Sequence, residues 1–186
     1  MEVIATKREA DKLLSSDKRP FYLFPEFRDH PIVMQDYLPK IWTDRGFKSG
    51  IEDDAQRGEF YTFQIGIYSP SNDLKNVKVD FTNLKSSKGE IIDKGSVSSF
   101  NTSGVSLNGE GFSKKLDISA NKVQALWFGV DLDQETKAGT YKGYFYIHPE
   151  GLPADTIELT LNVSNQIIEN HGDDAPENMT RLRWLN

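Results

Sequence analysis

The 186-residue chain contains no cysteine, which excludes disulfide bonds, thiolate nucleophiles and thiolate metal sites. It has no apolar run near the ~18 residues of a membrane-spanning helix, and no signal-peptide core at its N-terminus. The histidines His30, His148 and His171 are far apart, and none has a partner at metal-ligand spacing. No Gly-x-Ser-x-Gly motif is present, which argues against a serine hydrolase. We therefore expect no metal and no cofactor.

Basic charge is also scarce. There are 22 Lys and Arg against 28 Asp and Glu, giving a net charge of −6 and a pI near 5.1. This balance, without any basic cluster, argues against a nucleic-acid partner. The mean hydropathy of −0.55 is low for a globular chain, but eleven Phe, seven Tyr and three Trp supply large apolar area. The composition therefore favours a soluble folded domain.

Acidic residues occur in short runs that deserve comparison with known sites. Glycosidases use two carboxylates that face each other across a sugar, whereas Glu52-Asp53-Asp54 and Asp173-Asp174 stand at positions typical of solvated linkers. The run 131–135 resembles the start of a calcium loop, but it lacks the glycine at position six and the terminal Glu. We interpret it as a solvated hairpin loop. The sequence therefore predicts that this chain is not itself an enzyme.

What the chain does have is a series of short segments that alternate between apolar and polar residues. This period of two is typical of β-strands with one buried face. The two runs 123–132 and 139–148 flank a polar connection that ends in Ala138-Gly139, and we predict that they form a central hairpin. Further strands are predicted at 21–24, 59–69, 77–82, around 116–118 and at 155–165.

Seven or more short strands, with no alternation of strand and helix, predict an all-β fold, an antiparallel immunoglobulin-like β-sandwich. We divide the chain into an N-terminal arm (1–50) packed on the sandwich, the β-sandwich domain (51–165), and a linker with the start of a truncated following domain (166–186). The apolar cluster of Leu182, Trp184 and Leu185 marks that start. Leu126, Phe128 and Val130 share one strand face and Trp127 takes the other, which predicts a central strand covered on both sides.

The arm begins with a capping box, Thr6-Lys-Arg-Glu9, which predicts a short helix through about Leu14. We expect the strand at 21–24 to stop at Pro25, and Pro31 and Pro39 to keep the following stretch extended through Trp42. Aromatic and aliphatic side chains should clamp the arm onto the sandwich: Phe21, Phe24, Ile32, Tyr37 and Trp42.

The feature most suggestive of binding is aromatic. Tyr144 and Tyr146 share one face of a strand, while Phe60 and Tyr68 lie on the second face of an earlier strand. Exposed rings two residues apart can stack on the faces of sugars. Cross-strand aromatic pairs also stabilise sheets, and this packing role is the commoner one. Both interpretations, carbohydrate contact and structural packing, stay open for these four residues.

Four phrases in a fixed order, together with the last six residues, resemble a known family. They are Ala55-Gln-Arg-Gly-Glu-Phe-Tyr-Thr-Phe-Gln-Ile-Gly, Leu74-Lys-Asn-Val-Lys-Val, Leu126-Trp-Phe-Gly-Val-Asp, Ala138-Gly-Thr-Tyr-Lys-Gly and Arg181-Leu-Arg-Trp-Leu-Asn. The set is similar to the non-catalytic β-sandwich domain that precedes the catalytic barrel in proteins related to glycoside hydrolase family 123. Such proteins are common in gut bacteria of the Bacteroides type.

In that family a neighbouring Asp-Glu pair on the barrel carries the chemistry, and this chain has no adjacent Asp-Glu in that order. The resemblance therefore implies an accessory domain that supports a downstream catalytic domain of the same polypeptide in glycan degradation. It also implies export to the periplasm or cell surface. Two alternatives remain: an independent carbohydrate-binding module that uses the exposed tyrosines, with a glycan as partner, and a cell-surface adhesion or scaffold module.

Overall fold

The structure, a computed structural model, describes residues 3–169. Two β-sheets pack face to face, and two short helices lie on the outside of one of them. The elements are α1 (Lys7–Ser16), β1 (Tyr22–Phe27), α2 (Lys40–Arg45), β2 (Gly50–Arg57), β3 (Phe60–Tyr68), β4 (Lys78–Phe81), β5 (Leu84–Ser86), β6 (Ile91–Ile92), a 3-10 turn (Lys94–Ser96), β7 (Val97–Ser99), β8 (Ser103–Val105), β9 (Gly111–Ser113), β10 (Val123–Asp131), β11 (Gly139–His148) and β12 (Asp155–Ile167). Neither helix has the length and apolar character needed to cross a membrane.

The first sheet has the strand order β1-β3-β10-β7, and the second has the order β2-β12-β11-β5-β6, with β4 also paired to β11. Strands β8 and β9 form a separate small hairpin. All of these pairs are antiparallel except β2 with β12, which run parallel. The predicted all-β sandwich is confirmed, and a helix occurs near the N-terminus as expected.

The core lies between the two sheets and consists of the inward residues of alternating strands. From the first sheet, Phe63 and Phe128 stack at a centroid distance of 5.2 Å. From the second sheet, the ring of Phe145 meets both of them edge-on, at 4.9 and 5.0 Å. Strand β10 lies between β3 and β7, and Phe128 is completely buried, so the predicted central strand is confirmed.

The predicted central hairpin is wrong. Strand β10 pairs with β3 and β7 in the first sheet, whereas β11 pairs with β12, β4 and β5 in the second. The connection 132–138 therefore crosses from one sheet to the other, a gap of about 10 Å. Leu132 explains this path, because its side chain is fully buried in the core cluster between the sheets. A tight hairpin turn would leave that side chain in water.

The acidic run at 52–54 lies in strand β2, so its interpretation as a linker is wrong. Ile51 and Ala55 point into the core, while Glu52 is exposed. Asp53 shares the inward face, and its carboxylate accepts a hydrogen bond from the hydroxyl of Tyr61 at 3.0 Å. A charge that points inward on an edge strand also discourages pairing with other chains.

The N-terminal segment starts as predicted and then departs from the prediction twice. Thr6 and Glu9 form the capping box of α1, and the Lys40 and Thr6 donors lower the pKa of Glu9 to about 2. Strand β1 does not stop at Pro25, since it is an edge strand and a proline on its free side costs no ladder hydrogen bond. Residues around Trp42 form helix α2 rather than extended chain.

Phe21, Phe24 and Trp42 are buried as expected, and the rings of Phe24 and Trp42 stack at 4.2 Å. Ile32 is half-buried, but Tyr37 is 62% exposed, so its predicted clamping role is wrong. The strand predicted at 116–118 is reduced to one isolated bridge between residues 74 and 118. Strand β12 continues two residues past 165. The three-part division of the chain stays a prediction, and the terminal apolar cluster and Asp173-Asp174 lie outside the described residues.

Two buried polar side chains hold the N-terminal segment on the first sheet. Gln64 is fully buried; its Oε1 accepts from the main-chain N–H of Ile32 at 2.8 Å, and its Nε2 donates to the carbonyls of residues 27 and 30. Glu26 is also buried and accepts from Trp42 Nε1 at 2.7 Å and from Arg45 at 2.8 Å. These bonds fix α2 and the preceding loop over the sheet, because an unpaired group at either position would be costly.

Candidate functional site

The outer face of the second sheet is the candidate site. Strand β11 buries Tyr141, Phe145 and Ile147 in the core, and directs the alternate residues to the opposite side. We call the resulting surface the tyrosine face. It is formed by Thr140, Lys142, Tyr144, Tyr146 and His148 of β11 with their cross-strand neighbours Thr156, Glu158, Thr160, Asn162, Glu52, Asp54, Lys78, Asp80 and Lys85.

Tyr144 lies at the centre of this face and is 41% exposed. Its direct cross-strand partner on β12 is Glu158, whose carboxylate interacts electrostatically with the tyrosine. The same carboxylate accepts from Lys142 Nζ at 3.0 Å and from Thr160 Oγ1 at 3.4 Å. Lys142 and Tyr144 lower the pKa of Glu158, and Glu158 raises the pKa of Tyr144. The carboxylate thus bonds to two neighbouring side chains, Lys142 and Thr160.

Tyr146 and His148 continue the line of rings along β11. Their ring centroids are 6.2 Å apart. His148 Nε2 lies 3.4 Å from the carboxylate of Asp80 on β4, and Asp80 is also the cross-strand partner of Tyr146. Tyr146 is half-buried, and the His148 side chain is 39% exposed. The two predicted tyrosines therefore occupy the same open surface, with an unpredicted histidine beside them.

The other two predicted site residues lie elsewhere. Phe60 and Tyr68 are buried on the outer side of the first sheet, which favours structural packing over carbohydrate contact for these two residues. Phe60 packs over Gly129, where a Cβ atom would approach its ring to 2.4 Å, and Tyr68 donates to Asn121 at 3.2 Å. The N-terminal segment and the loop after β7 cover this side of the sandwich. Phe60 and Tyr68 take no part in the tyrosine face.

A second polar cluster lies near the ends of β1 and β2, where no sequence pattern had indicated one. Arg28 bonds to the buried carboxylate of Glu59 and stands 5.4 Å from the ring centre of Tyr61. Burial, reinforced by the nearby Asp53 carboxylate, raises the pKa of Tyr61 far above its ordinary value. An open cleft of about 600 Å³ adjoins this cluster, and Asn162 and Thr140 line it. Because each acid of the cluster is already bonded, we interpret it as structural.

The acidic loop 131–135 has no metal-site geometry in the part of the chain that the structure describes. Across residues 3–169, no group of three or more His, Asp or Glu side chains is arranged to hold a metal ion. The carboxylate of Asp133 accepts from the main-chain N–H of Glu135 at 2.8 Å, as in an ordinary turn. The loop is part of the connection that passes from the first sheet to the second.

No protein-family model matches the chain, and no curated protein sequence is significantly similar to it. The fold, however, is found in solved structures. A family 123 glycoside hydrolase from Clostridium perfringens is similar over 80% of this chain, with a TM-score of 0.64 and 14% identity. The chain spans only 28% of the length of that hydrolase chain. At this identity the likeness establishes a shared fold alone.

Two further solved structures match with lower scores. The fimbrial subunit MyfA from Yersinia enterocolitica, solved in complex with galactose, has 17% identity and a TM-score of 0.41 over 62% of this chain and 94% of its own. A DUF4466 family protein from Parabacteroides merdae has 9% identity and a TM-score of 0.40 over 78% of this chain and 45% of its own. Both scores are too low to support an argument about function.

Proposed function

We propose that this chain is a non-catalytic accessory β-sandwich domain of a bacterial glycoside hydrolase-like protein, and that it supports a downstream catalytic domain in glycan degradation. The observation that carries the proposal is the unequal coverage of the fold match. Most of this chain corresponds to a minor part of a family 123 hydrolase chain, as an accessory domain would. With that role we propose a periplasmic or cell-surface location.

Three carboxylates, Glu26, Glu59 and Asp53, form structural bonds, in agreement with a non-catalytic role. A glycosidase needs two carboxylates that face each other across a sugar and are free to exchange protons with it. Glu26 and Glu59 are instead buried, and each is bonded to an arginine. Asp53 is bonded to the hydroxyl of Tyr61. These three carboxylates form ion pairs or hydrogen bonds that stabilise the fold.

An exposed apolar strip on the first-sheet side is the surface that we propose for contact with the catalytic domain. The loop after β1 crosses the outside of this sheet, tied to Gln64 and to the N–H of Val123. It exposes Val33, Met34 and Tyr37, with 48, 63 and 62% of each residue accessible. Neighbouring exposed apolar side chains of this size are typical of a protein contact. The strip lies on the opposite side of the sandwich from the tyrosine face.

The first test is the coding sequence beyond Asn186, which should encode a catalytic barrel. The chain and that downstream region, produced separately, should bind each other in isothermal titration calorimetry. Met34→Asp should weaken binding at least tenfold, because it places a charge in an apolar contact. The matched control is Val105→Asp on the β8–β9 hairpin, also well exposed, which should leave binding unchanged. A gene without a second domain, or equal binding by both variants, would contradict the proposal.

A second test addresses catalysis directly. The chain alone should not hydrolyse aryl glycosides of N-acetylgalactosamine or N-acetylglucosamine. Glu59, which lines the cleft beside β2, is bonded to Arg28, and Asp155, which lines the cleft at the start of β12, is bonded to Arg19. Turnover that survives repurification and disappears when Glu52, Asp53 or Asp54 is replaced would show that the chain is an enzyme.

A further inference from the structure

We infer that the tyrosine face binds a neutral glycan chain that lies along strand β11, with Tyr144 as its central stacking platform. This binding activity goes beyond the accessory role proposed above and does not depend on it. It rests on the position and exposure of the rings, the fixed polar groups around them, the charge balance of the face and its shape.

The position and exposure of Tyr144 suit stacking. It points out of the second sheet beside Glu158 of the adjacent strand β12, and 41% of the residue is exposed. Tyr146 follows two residues later, about 6.6 Å along the strand. Flat apolar surfaces of this kind pack against the C–H faces of pyranose rings.

The polar groups around the rings are held in place before any ligand arrives. Glu158 is fixed by two donors, Lys142 and Thr160, and the Lys142 ammonium keeps further N–H groups for a ligand. His148 and Asp80 form a second pair at the other end of the rings. Sugar hydroxyls both donate and accept, so mixed pairs of this type can satisfy them. Fixed groups also lose little conformational freedom on binding.

The charge balance selects neutral glycans over anionic ones. Three lysines and four carboxylates point out of the tyrosine face: Lys78, Lys85, Lys142, Glu52, Asp54, Asp80 and Glu158. A surface with this near balance does not attract a polyanion, because the summed potential is weak and slightly negative. A sulfated or uronic-acid polymer is therefore disfavoured, and neutral hexose or N-acetylhexosamine chains fit.

The shape favours the interior of a chain over its end. The outward residues from Thr140 to His148 span eight steps of a strand, or about 27 Å. Tyr144 is 41% exposed and Tyr146 half-buried on this face, and the open cleft at the Thr140 end is lined by Asn162. An extended surface of this length accommodates several linked sugar units side by side.

A protein partner fits this face less well. The centre of a protein interface is normally depleted of charged residues and rich in apolar ones. On the tyrosine face charged side chains surround the two rings, and most of the large exposed apolar residues lie elsewhere, including Met34, Val105 and Phe112. The glycan is therefore the occupant that the composition of the surface supports.

The test is affinity gel electrophoresis of the whole chain through gels that contain hydroxyethylcellulose, xyloglucan, galactomannan, glycol chitin or polygalacturonic acid. At least one of the four neutral polymers should retard the chain, and polygalacturonic acid should not. Tyr144→Ala should weaken the retardation at least tenfold, whereas Tyr144→Phe should keep more than half of it because the ring remains. The matched control is Tyr37→Ala, which removes an exposed tyrosine from the opposite side and should bind like the wild type.

The inference is overturned if none of the neutral polymers retards the chain, if polygalacturonic acid alone does so, or if Tyr144→Ala and Tyr37→Ala bind equally. Thermal melts of all variants separate loss of binding from loss of folding, and Glu158→Gln gives an independent variant on the same face. The experiment uses the chain alone. A failure here therefore leaves the proposed contact with a catalytic domain untouched, and the reverse also holds.

Discussion

Replacing Phe128 by alanine tests whether the two sheets are held together as described. The ring of Phe128 is completely buried and contacts one ring from each sheet, Phe63 at 5.2 Å and Phe145 at 5.0 Å. It belongs to β10, which has a hydrogen-bonded neighbour on both sides. The surrounding strands are therefore fixed and cannot close the space that the missing ring would leave.

Removal of a buried phenylalanine costs about 3–5 kcal/mol, and the cost rises when the cavity cannot collapse. Two aromatic contacts are lost as well, each worth about 0.5–1.5 kcal/mol beyond the buried area. We therefore expect the upper part of the range, about 4–5 kcal/mol for Phe128→Ala. Since a domain of this size has a total stability of about 5–15 kcal/mol, the variant should be close to unfolding at physiological temperature.

Urea denaturation followed by tryptophan fluorescence measures the loss, because Trp42 and Trp127 both lie on the outer side of the first sheet. The matched control is Phe100→Ala, whose residue is 42% exposed and which should lose less than about 2 kcal/mol. A loss below about 1 kcal/mol for Phe128→Ala, with an unchanged m-value, would refute the central position of β10.

Three further predictions concern bonded polar groups. Gln64→Ala removes three hydrogen bonds to the loop after β1 and should cost about 2–3 kcal/mol in urea melts; a loss below 1 kcal/mol would contradict that anchoring role. Arg45→Ala leaves the buried Glu26 carboxylate without its arginine and should cost about 3 kcal/mol, and adding Glu26→Gln should recover part of it. The folded pKa of Glu9 is lowered to about 2, so wild type should be more stable than Glu9→Gln by a margin that depends on pH. This margin should be complete above pH 4.5 and should vanish as the pH falls to 2. A margin that does not change with pH would refute the coupling between the ionisation of Glu9 and folding.

The faces of the strands could be predicted because they depend on a local pattern. Alternation in β3, β11 and β12 places Phe63, Phe145 and Leu159 in the core, and all three are fully buried. The capping box could be predicted for the same reason, since Thr6 and Glu9 satisfy donors within one turn of each other. The open position of Tyr144 also follows from alternation along β11.

The rest of the candidate site required contacts between distant parts of the chain. Nothing near Tyr144 in the sequence indicates that Glu158 is its cross-strand partner, or that Asp80 lies beside His148. The same limit applies to Phe60 and Tyr68. Alternation puts them on the outer side of the first sheet, but only the packed N-terminal segment and the loop after β7 determine that this side is covered.

The sequence by itself determined the all-β class, the position of most long strands and the face that each side chain takes, because a period of two is a property of one strand. Tertiary structure alone decided which strands are neighbours. It separated β10 from β11, where burial of Leu132 outweighs the hairpin signal, and it placed the acidic strand β2 parallel to β12. It allowed Pro25 in β1, since an edge strand has a free side. The pairing of strands depends on which apolar faces can be buried together, and that choice is made between segments far apart in the chain.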